Sequence, residues 1–181
     1  METFKLNLTS LQNKIFRFLC INAGKAFNLS EIARNLKVSP TAVAKALVNL
    51  KKEEIVSVKT SETMNLLSIE LKLENQKVME LKRVENLSMI YESGIISFLS
   101  DTIPGVVIVL FGSYSRGDDN SNSDIDIAII GAKGKQLDIS KFEKILKKKI
   151  VINFYNNLNN LDKNLRNNLL NGIVLSGVLQ S

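Results

Sequence analysis

The sequence predicts an α+β protein made of two parts, and three patterns support this fold class. Over the first half, apolar residues recur at helical spacing and are followed by two β-rich segments. In the second half, short apolar strands alternate with helices. Between the halves, residues 75–100 keep helical spacing and contain no Gly/Ser-rich linker. We therefore expect residues 1–74 and 101–181 to form two domains joined by a helical connector over residues 75–100.

Three helices are predicted at the N-terminal end. The first is amphipathic and ends near Gly24. The predicted N-cap of the second is Ser30, since serine accepts hydrogen bonds from the first turn of a helix. Ser39 is expected to cap the third helix, with Pro40 at its first position, where the missing N–H removes no hydrogen bond. This third helix is predicted to run to about Glu53.

Two β-rich segments follow these helices, Ile55–Lys59 and Leu66–Leu73, joined by the polar turn Thr60–Asn65. The succession of elements over residues 8–74 resembles a winged helix-turn-helix domain. The resemblance implies that Pro40–Lys51 is a recognition helix, with Lys59 on the wing near phosphate. The recognition-helix residues it places near the major groove of DNA are Thr41, Ala42, Ala44, Lys45 and Asn49. The alternative role for this domain is protein contact or dimerisation.

The second half begins with a buried strand, and strands and helices then alternate. The predicted elements are the strands Val106–Phe111, Asp124–Ile130 and Ile150–Tyr155 and the helices Ser140–Lys149 and Leu161–Leu175. The lysines at 147–149 are expected to be favoured at a helix C-terminus by the helix dipole, without a ligand.

One group of residues in this half has the composition expected of a ligand-binding or catalytic site. Gly112-Ser113 directly follows the first strand, and glycine lets the backbone approach a ligand closely because it has no Cβ. The amides of the following turn and the Ser113 hydroxyl can then cradle phosphate oxygens. Asp124 and Asp126 are two residues apart at a strand, so both carboxylates face the same side. Paired carboxylates repel each other, and oxygen ligands suit a hard ion such as Mg²⁺.

The same residues resemble the minimal nucleotidyltransferases of the superfamily related to DNA polymerase β. In that family Gly-Ser is followed by ten residues and then Asp-x-Asp, as Gly112-Ser113 is here followed by Asp124-Ile125-Asp126. Arg116-Gly117 also agrees with the pattern. The likeness spans about residues 90–178, and the segment Asn171–Leu175 looks like the closing helix of this family. The resemblance implies a small α/β nucleotidyltransferase domain with a mixed sheet.

The resemblance also implies roles for individual residues. Gly112 and Ser113 would hold the β- and γ-phosphates of a nucleoside triphosphate. Asp124 and Asp126 would bind the magnesium ions that bridge those phosphates, and an acceptor would attack the α-phosphorus and release pyrophosphate. Arg116 would neutralise triphosphate charge, or else form a surface salt bridge. The expected partners are a nucleoside triphosphate, DNA and a protein acceptor, as in toxin–antitoxin systems, and a homodimer is a further expectation.

A third carboxylate is usual in the family on a later strand, and the sequence departs from the pattern there. The candidate position in the strand Ile150–Tyr155 holds Asn153, which cannot act as a base. Asp138 is a candidate substitute, although it falls before a helix. The alternative function is therefore a transcription regulator whose second domain binds nucleotide without turning it over.

The amino-acid composition excludes several classes of functional site and of protein. The chain has no histidine, which excludes histidine general bases and most zinc sites. Cys20 is the single cysteine and lies in an apolar run, so a buried thiol and a reducing cytosol are expected. No apolar run approaches the roughly 20 residues of a membrane span, and Met1–Leu8 does not resemble a signal peptide. Of the net charge of +6, +4 falls within residues 1–75, which is compatible with a polyanionic partner.

Overall fold

The computed structural model describes residues 7–60, 67–159 and 161–179. The chain divides into two compact units, Met1–Val78 and Met79–Ser181. Both combine helices with a β-sheet, which confirms the α+β fold class. The predicted wing turn at Thr60–Asn65 lies, after Thr60, outside the described residues, as does most of Met1–Leu8. No helix in the described ranges has both the length and the apolar character to cross a bilayer.

The first unit has the element order of a winged helix-turn-helix, as predicted. Its elements are α1 (Ser10–Ile21), α2 (Leu29–Leu36), α3 (Pro40–Lys52), β1 (Val56–Thr60) and β2 (Leu67–Leu71). The two strands pair antiparallel, with Val56 opposite Leu71. Phe27 adds one further bridge to Ile69 and extends the ribbon toward the start of α2. The wing is therefore attached to the helix-turn-helix through the backbone as well as through side chains.

The cap of α2 corrects one prediction. Asn28, not Ser30, is the N-cap: its side chain accepts a hydrogen bond from the Glu31 amide at 2.9 Å. The Glu31 carboxylate accepts one in return from the Asn28 amide at 2.8 Å. This reciprocal pair is a capping box, and it satisfies two amides where Ser30 would satisfy one. Ser39 and Pro40 start α3 as predicted.

Apolar side chains from all three helices and the ribbon form the core of this unit. Cys20 is buried among them, as predicted. Those with at most 1% of their surface exposed include Ile15, Leu19, Ile32, Val43, Leu50, Ile55 and Ile69. They recur at helical spacing in the helices, which is the pattern from which the helices were predicted.

The second unit contains a four-stranded mixed sheet. Its elements are α4 (Gln76–Ser93, which starts just before the division), α5 (Ile95–Thr102), β3 (Val107–Phe111), α6 (Gly112–Arg116), β4 (Ile125–Ile130), α7 (Ser140–Leu146), β5 (Ile150–Tyr155), α8 (Lys163–Leu170) and β6 (Ile173–Ser176). The strand order is β5-β4-β3-β6. The β4–β5 pair is parallel, and β3 is antiparallel to both of its neighbours.

The end of the chain corrects a second prediction. The expected helix Leu161–Leu175 is only α8, and the segment Asn171–Leu175 is not a closing helix. After Gly172 the chain enters β6, which covers the otherwise open edge of β3. A Cβ on Gly172 would lie 2.7 Å from the Leu110 carbonyl oxygen, so only glycine allows this close approach. Leu161, Leu165 and Leu169 recur at helical spacing, but beyond α8 the backbone hydrogen bonds offered by β3 determine the structure.

Both faces of the four-stranded sheet carry buried apolar side chains. On one face α8 packs against an apolar cluster of Val109, Phe111, Ala128, Ile130, Leu158 and Leu169. Side chains of β3 and β4 that point the other way, such as Ile108 and Ile127, have no exposed surface. Asp126 lies two residues before Ala128 in β4, so its side chain is on the same face of the sheet as α8. The Asp126 side chain is half-buried. The acidic end of β4 therefore stands at the edge of the apolar cluster.

Candidate functional site

Gly112 and Asp126 are brought into direct contact by strand pairing. Phe111, the last residue of β3, is the partner of Asp126 on β4, so the chain leaves β3 beside that carboxylate. Gly112 has a φ of +75°, and a Cβ there would lie 2.4 Å from the Asp126 Oδ2 atom. Both the backbone angle and the space require glycine. The predicted Gly-Ser segment and the second aspartate thus form one site.

Hydrogen bonds within α6 hold the turn that follows Gly112. The Ser115 hydroxyl donates to the Gly112 carbonyl oxygen at 2.8 Å. Gly117 ends the helix with a φ of +84°, and a Cβ there would lie 2.4 Å from the Met79 carbonyl oxygen of α4. Ser113 is half-buried, and its hydroxyl has no hydrogen-bond partner among the described residues. The Ser113 hydroxyl is therefore available to a ligand.

The two aspartates share one environment. Asp124 directly precedes β4 and Asp126 lies within it, and both are half-buried. Burial, and secondly the charge of Asp124, raise the pKa of the Asp126 carboxyl above its ordinary value. In the described part of the chain, neither carboxylate forms an ion pair or a hydrogen bond. Two neighbouring carboxylates without a counter-charge are a set of donors that fits a hard divalent cation.

The register of β5 corrects the position expected for a third carboxylate. Val151, not Asn153, is the β5 partner of Asp126, and Asn153 pairs with Ala128. The apolar side chain of Val151 offers no ligand. Within the described residues, no group of three or more acidic, cysteine or histidine side chains is placed to hold a metal. Asp124 and Asp126 are therefore the acidic side chains that could hold a cation at this point.

Asp138 has a local role and does not join this set. Its Oδ1 atom accepts hydrogen bonds from the Ser140 amide at 3.1 Å and from the Ser140 hydroxyl at 2.7 Å. These bonds, assisted by the charges of Lys144 and Lys141, lower the pKa of the Asp138 carboxyl. Asp138 is thus a surface residue that fixes the start of α7.

Arg116 forms an exposed ion pair in this structure. Its Nε atom donates to the Asp118 Oδ2 atom at 3.1 Å, and both side chains are about half exposed. Of the two roles considered for Arg116, the structure shows the salt bridge. A role at the triphosphate requires the guanidinium to leave Asp118, which a surface pair allows at small energetic cost.

Sequence reasoning missed two features near the site. Burial, with the charges of Asp126 and Asp162, raises the pKa of the Tyr155 hydroxyl, so it remains a proton donor at neutral pH. Lys148 is buried and pairs with Asp119 at 3.2 Å, so it is not a solvated cation at a helix end. Lys147 ends α7 in the left-handed conformation and turns the chain so that Lys148 points inward. Neither fact has a signal in the sequence, because both depend on distant partners.

The surface predicted to contact DNA is partly exposed in the first unit. Thr41 and Lys45 on α3 are exposed, whereas Ala42, Ala44 and Asn49 are half-buried. Lys59 pairs across the wing with Glu70 at 3.1 Å. Val48, which was not predicted to take part, is 71% exposed on the same helix. The outward face of α3 thus combines a hydroxyl, a cation and an apolar side chain.

Comparison with known proteins gives one family match, which falls in the second unit. Residues 92–175 match the family model described as "Nucleotidyltransferase domain". A curated relative, the protein adenylyltransferase MntA of Shewanella oneidensis, is 49% identical over 47 residues. That alignment covers 25% of this chain and 34% of the relative, so the chain spans about a third of the length of the curated protein it matches.

Solved structures give weaker likenesses. The zinc-responsive MarR family member ZitR of Lactococcus lactis is 22% identical, with a TM-score of 0.43 over 58% of this chain and 70% of that one. The adhesin competence repressor AdcR of Streptococcus pyogenes is 17% identical, with a TM-score of 0.43 over 54% and 69%. The winged-helix architecture of the first unit follows from its own element order and strand pairing.

The family match covers both halves of the site, from the strand before Gly112 to the residues after Asp126. The matched residues include the Gly-Ser segment and Asp124-Ile125-Asp126, whose Asp126 carboxylate contacts Gly112. Over residues 92–175, the chain is similar to the nucleotidyltransferase domain family.

Proposed function

We propose that the second unit transfers a nucleotidyl group from a nucleoside triphosphate to an acceptor, with Mg²⁺ held by Asp124 and Asp126. The observation that carries this proposal is the contact between Gly112 and the Asp126 carboxylate. It brings the start of α6, which carries the Ser113 hydroxyl, beside the Asp126 carboxylate, and the charge of Asp124 acts on that same carboxylate. This is the set of groups that a magnesium–triphosphate complex requires.

Each residue has a role in binding and orientation. The Ser113 hydroxyl and the amides at the start of α6 donate to phosphate oxygens, and Gly112 lets those oxygens approach the backbone. Asp124 and Asp126 hold Mg²⁺, which supplies charge neutralisation and polarisation of the α-phosphate when bound. The oxygen of an acceptor hydroxyl would form a bond to the α-phosphorus as the bond to pyrophosphate breaks, and the hydroxyl proton would pass to water. The name of the curated relative makes ATP the first donor to test and a protein the first acceptor.

Thermal unfolding with Mg²⁺ and each of the four nucleoside triphosphates tests the binding step. At least one nucleotide is expected to raise the melting temperature, because a ligand that binds only the folded state stabilises it. The rise should disappear when Mg²⁺ is removed with EDTA. If no nucleotide changes the melting temperature at millimolar concentration, the proposal is wrong.

A second candidate function follows from Val151. An apolar residue beside Asp126 leaves the site without a third carboxylate on β5. Such a site can bind a magnesium–nucleotide complex while lacking a base for the acceptor. The second candidate is therefore a regulator that senses nucleotide and does not transfer it. Binding without transfer is the result that distinguishes it.

We also propose that the first unit binds DNA through α3. Exposed Lys45 and Thr41 on that helix, with Lys59 on the wing, support this proposal. Lys45→Ala should weaken binding of a duplex from the gene's own upstream region and reduce the slope of log affinity against log salt by about 1. Lys14→Ala, which removes an exposed lysine from α1, is the matched control and should leave the slope unchanged. Equal effects of the two substitutions would contradict binding through α3.

A further inference from the structure

A buried polar network lies beneath the loop of residues 117–124, which joins α6 to β4. The Asp119 and Lys82 side chains have no exposed surface, and 2% of the Lys148 side chain is exposed. The Lys82 ammonium group pairs with the Asp119 Oδ1 atom, and Asn86 donates to the same oxygen at 2.7 Å. The Lys148 Nζ atom lies 3.2 Å from Asp119 Oδ2. Four side chains, two from α4, one from the loop and one from the turn between α7 and β5, thus converge at one point.

Lys148 connects this network to the first aspartate of the site. Its ammonium group donates to the Asn120 carbonyl and, at 3.3 Å, to the Ser123 carbonyl. Asn120 and Ser123 also bond to each other through the Ser123 hydroxyl at 3.0 Å. Because Ser123 directly precedes Asp124, the position of Lys148 fixes the backbone from which Asp124 projects.

Asn86 connects the network to the other half of the site. Besides Asp119, its amide donates to the Tyr114 carbonyl oxygen at 2.9 Å. Tyr114 follows Ser113 in α6, and the Lys148 Nζ atom lies 5.9 Å from the centre of the Tyr114 ring. One buried network therefore holds both the Ser113 turn and the residue before Asp124.

Stability alone does not explain why such groups are buried. Buried ion pairs give little net stabilisation, and apolar residues of similar volume often serve as well. Directed hydrogen bonds to loop carbonyls are what apolar residues cannot provide. We propose that Lys148, with Asp119 as its partner, is a positioning residue that holds Ser113 and Asp124 in the geometry that binds a magnesium–nucleotide complex. This inference rests on the proposed function.

Lys148→Met tests the inference. Methionine keeps most of the length of the side chain and leaves both partners of the Lys82–Asp119 pair in place, but it removes the donors to the Asn120 and Ser123 carbonyls. Leu99→Ala is the control, because it removes a fully buried side chain from α5 without touching the network. Two quantities are measured on the full chain: the Kd for MgATP, and hydrogen exchange of the amides of residues 117–126 without nucleotide.

Lys148→Met is expected to speed exchange in residues 117–126 and to weaken MgATP binding about tenfold. Leu99→Ala should lower the melting temperature while leaving the Kd within about twofold. An unchanged Kd in Lys148→Met, or the same loss of affinity in both variants, overturns the positioning role. If the methionine variant does not fold, Lys148→Leu, which also lacks donors, replaces it and is compared with Leu99→Ala at equal loss of melting temperature.

Wild-type protein separates this inference from the proposed function. If wild type fails to bind MgATP or any other magnesium–nucleoside triphosphate, the proposed function fails and the positioning role fails with it. If wild type binds and Lys148→Met binds equally well, only the positioning role fails.

Discussion

Replacing Asp126 with asparagine is expected to raise the melting temperature of the Mg²⁺-free protein and to abolish its magnesium-dependent nucleotide binding. The stability effect follows from electrostatics. Burial and the charge of Asp124 raise the pKa of the Asp126 carboxyl in the folded state, so its ionised form is less favourable there than in the unfolded chain. The amide of asparagine carries no charge and removes this penalty.

The direction of the pH dependence is a further part of this prediction. A carboxyl with a raised folded pKa favours the folded state below its unfolded pKa, and this contribution is lost as the pH rises through the folded value. In Mg²⁺-free buffer, wild type should therefore lose stability relative to Asp126→Asn as the pH rises from about 4, the ordinary aspartate value, through the raised pKa of the folded state. The difference should be constant at higher pH, where the carboxyl is fully ionised in both states.

Loss of binding and gain of stability should occur in the same variant. Asparagine keeps one oxygen ligand but removes a negative charge from a site that holds two carboxylates, so affinity for Mg²⁺ falls sharply. Asp101→Asn, on the exposed surface of α5, is the control and should change neither property. The account is contradicted if Asp126→Asn binds a magnesium–nucleotide complex as wild type does, or if it is less stable than wild type without Mg²⁺.

Gly112→Ala is expected to lose nucleotide binding and to destabilise the fold. At a φ of +75°, an L-residue is disfavoured by about 1–2 kcal/mol. In addition, the new Cβ would lie 2.4 Å from the Asp126 Oδ2 atom, so the carboxylate or the turn must move. Since both belong to the proposed site, any movement separates the phosphate donors from Asp126.

Gly105→Ala separates the effect of backbone strain from the effect of a steric clash with the Asp126 carboxylate. Gly105 has a φ of +79°, but a Cβ there meets nothing within 4 Å. Both variants should therefore lose about 1–2 kcal/mol of unfolding free energy through the backbone alone. Only Gly112→Ala should also lose magnesium-dependent nucleotide binding. Retained binding in a folded Gly112→Ala protein would show that the contact with Asp126 is unimportant.

Local patterns predicted much of this architecture. The apolar strand before Gly112 and the alternation around Asp126 predicted two strands, and their antiparallel pairing brings the two motifs together. Ser39 followed by Pro40 predicted the start of α3 in the same way. In each case the deciding interactions lie within a few residues or within one strand pair.

Features that depend on distant partners could not be predicted. Whether Val151 or Asn153 pairs with Asp126 depends on the register of β5 on β4, which the sequence of β5 alone does not determine. Residues after Gly172 become a strand because β3 offers an open edge, although their neighbours keep a helical stripe. Lys148 is buried because Asp119 lies 29 positions earlier in the chain, a partner that no local pattern reveals.

Transfer of label from the α-phosphate of a nucleoside triphosphate is the most direct test of the central claim. Purified protein, Mg²⁺ and each α-labelled nucleotide are incubated with a lysate of the source cell, beside a variant with alanine at both Asp124 and Asp126. Label should move onto a macromolecule with wild type alone, and label at the γ-phosphate should not move, since it leaves with pyrophosphate. Equal transfer by the double variant, or no transfer by a protein that binds the nucleotide, would contradict catalysis at this site.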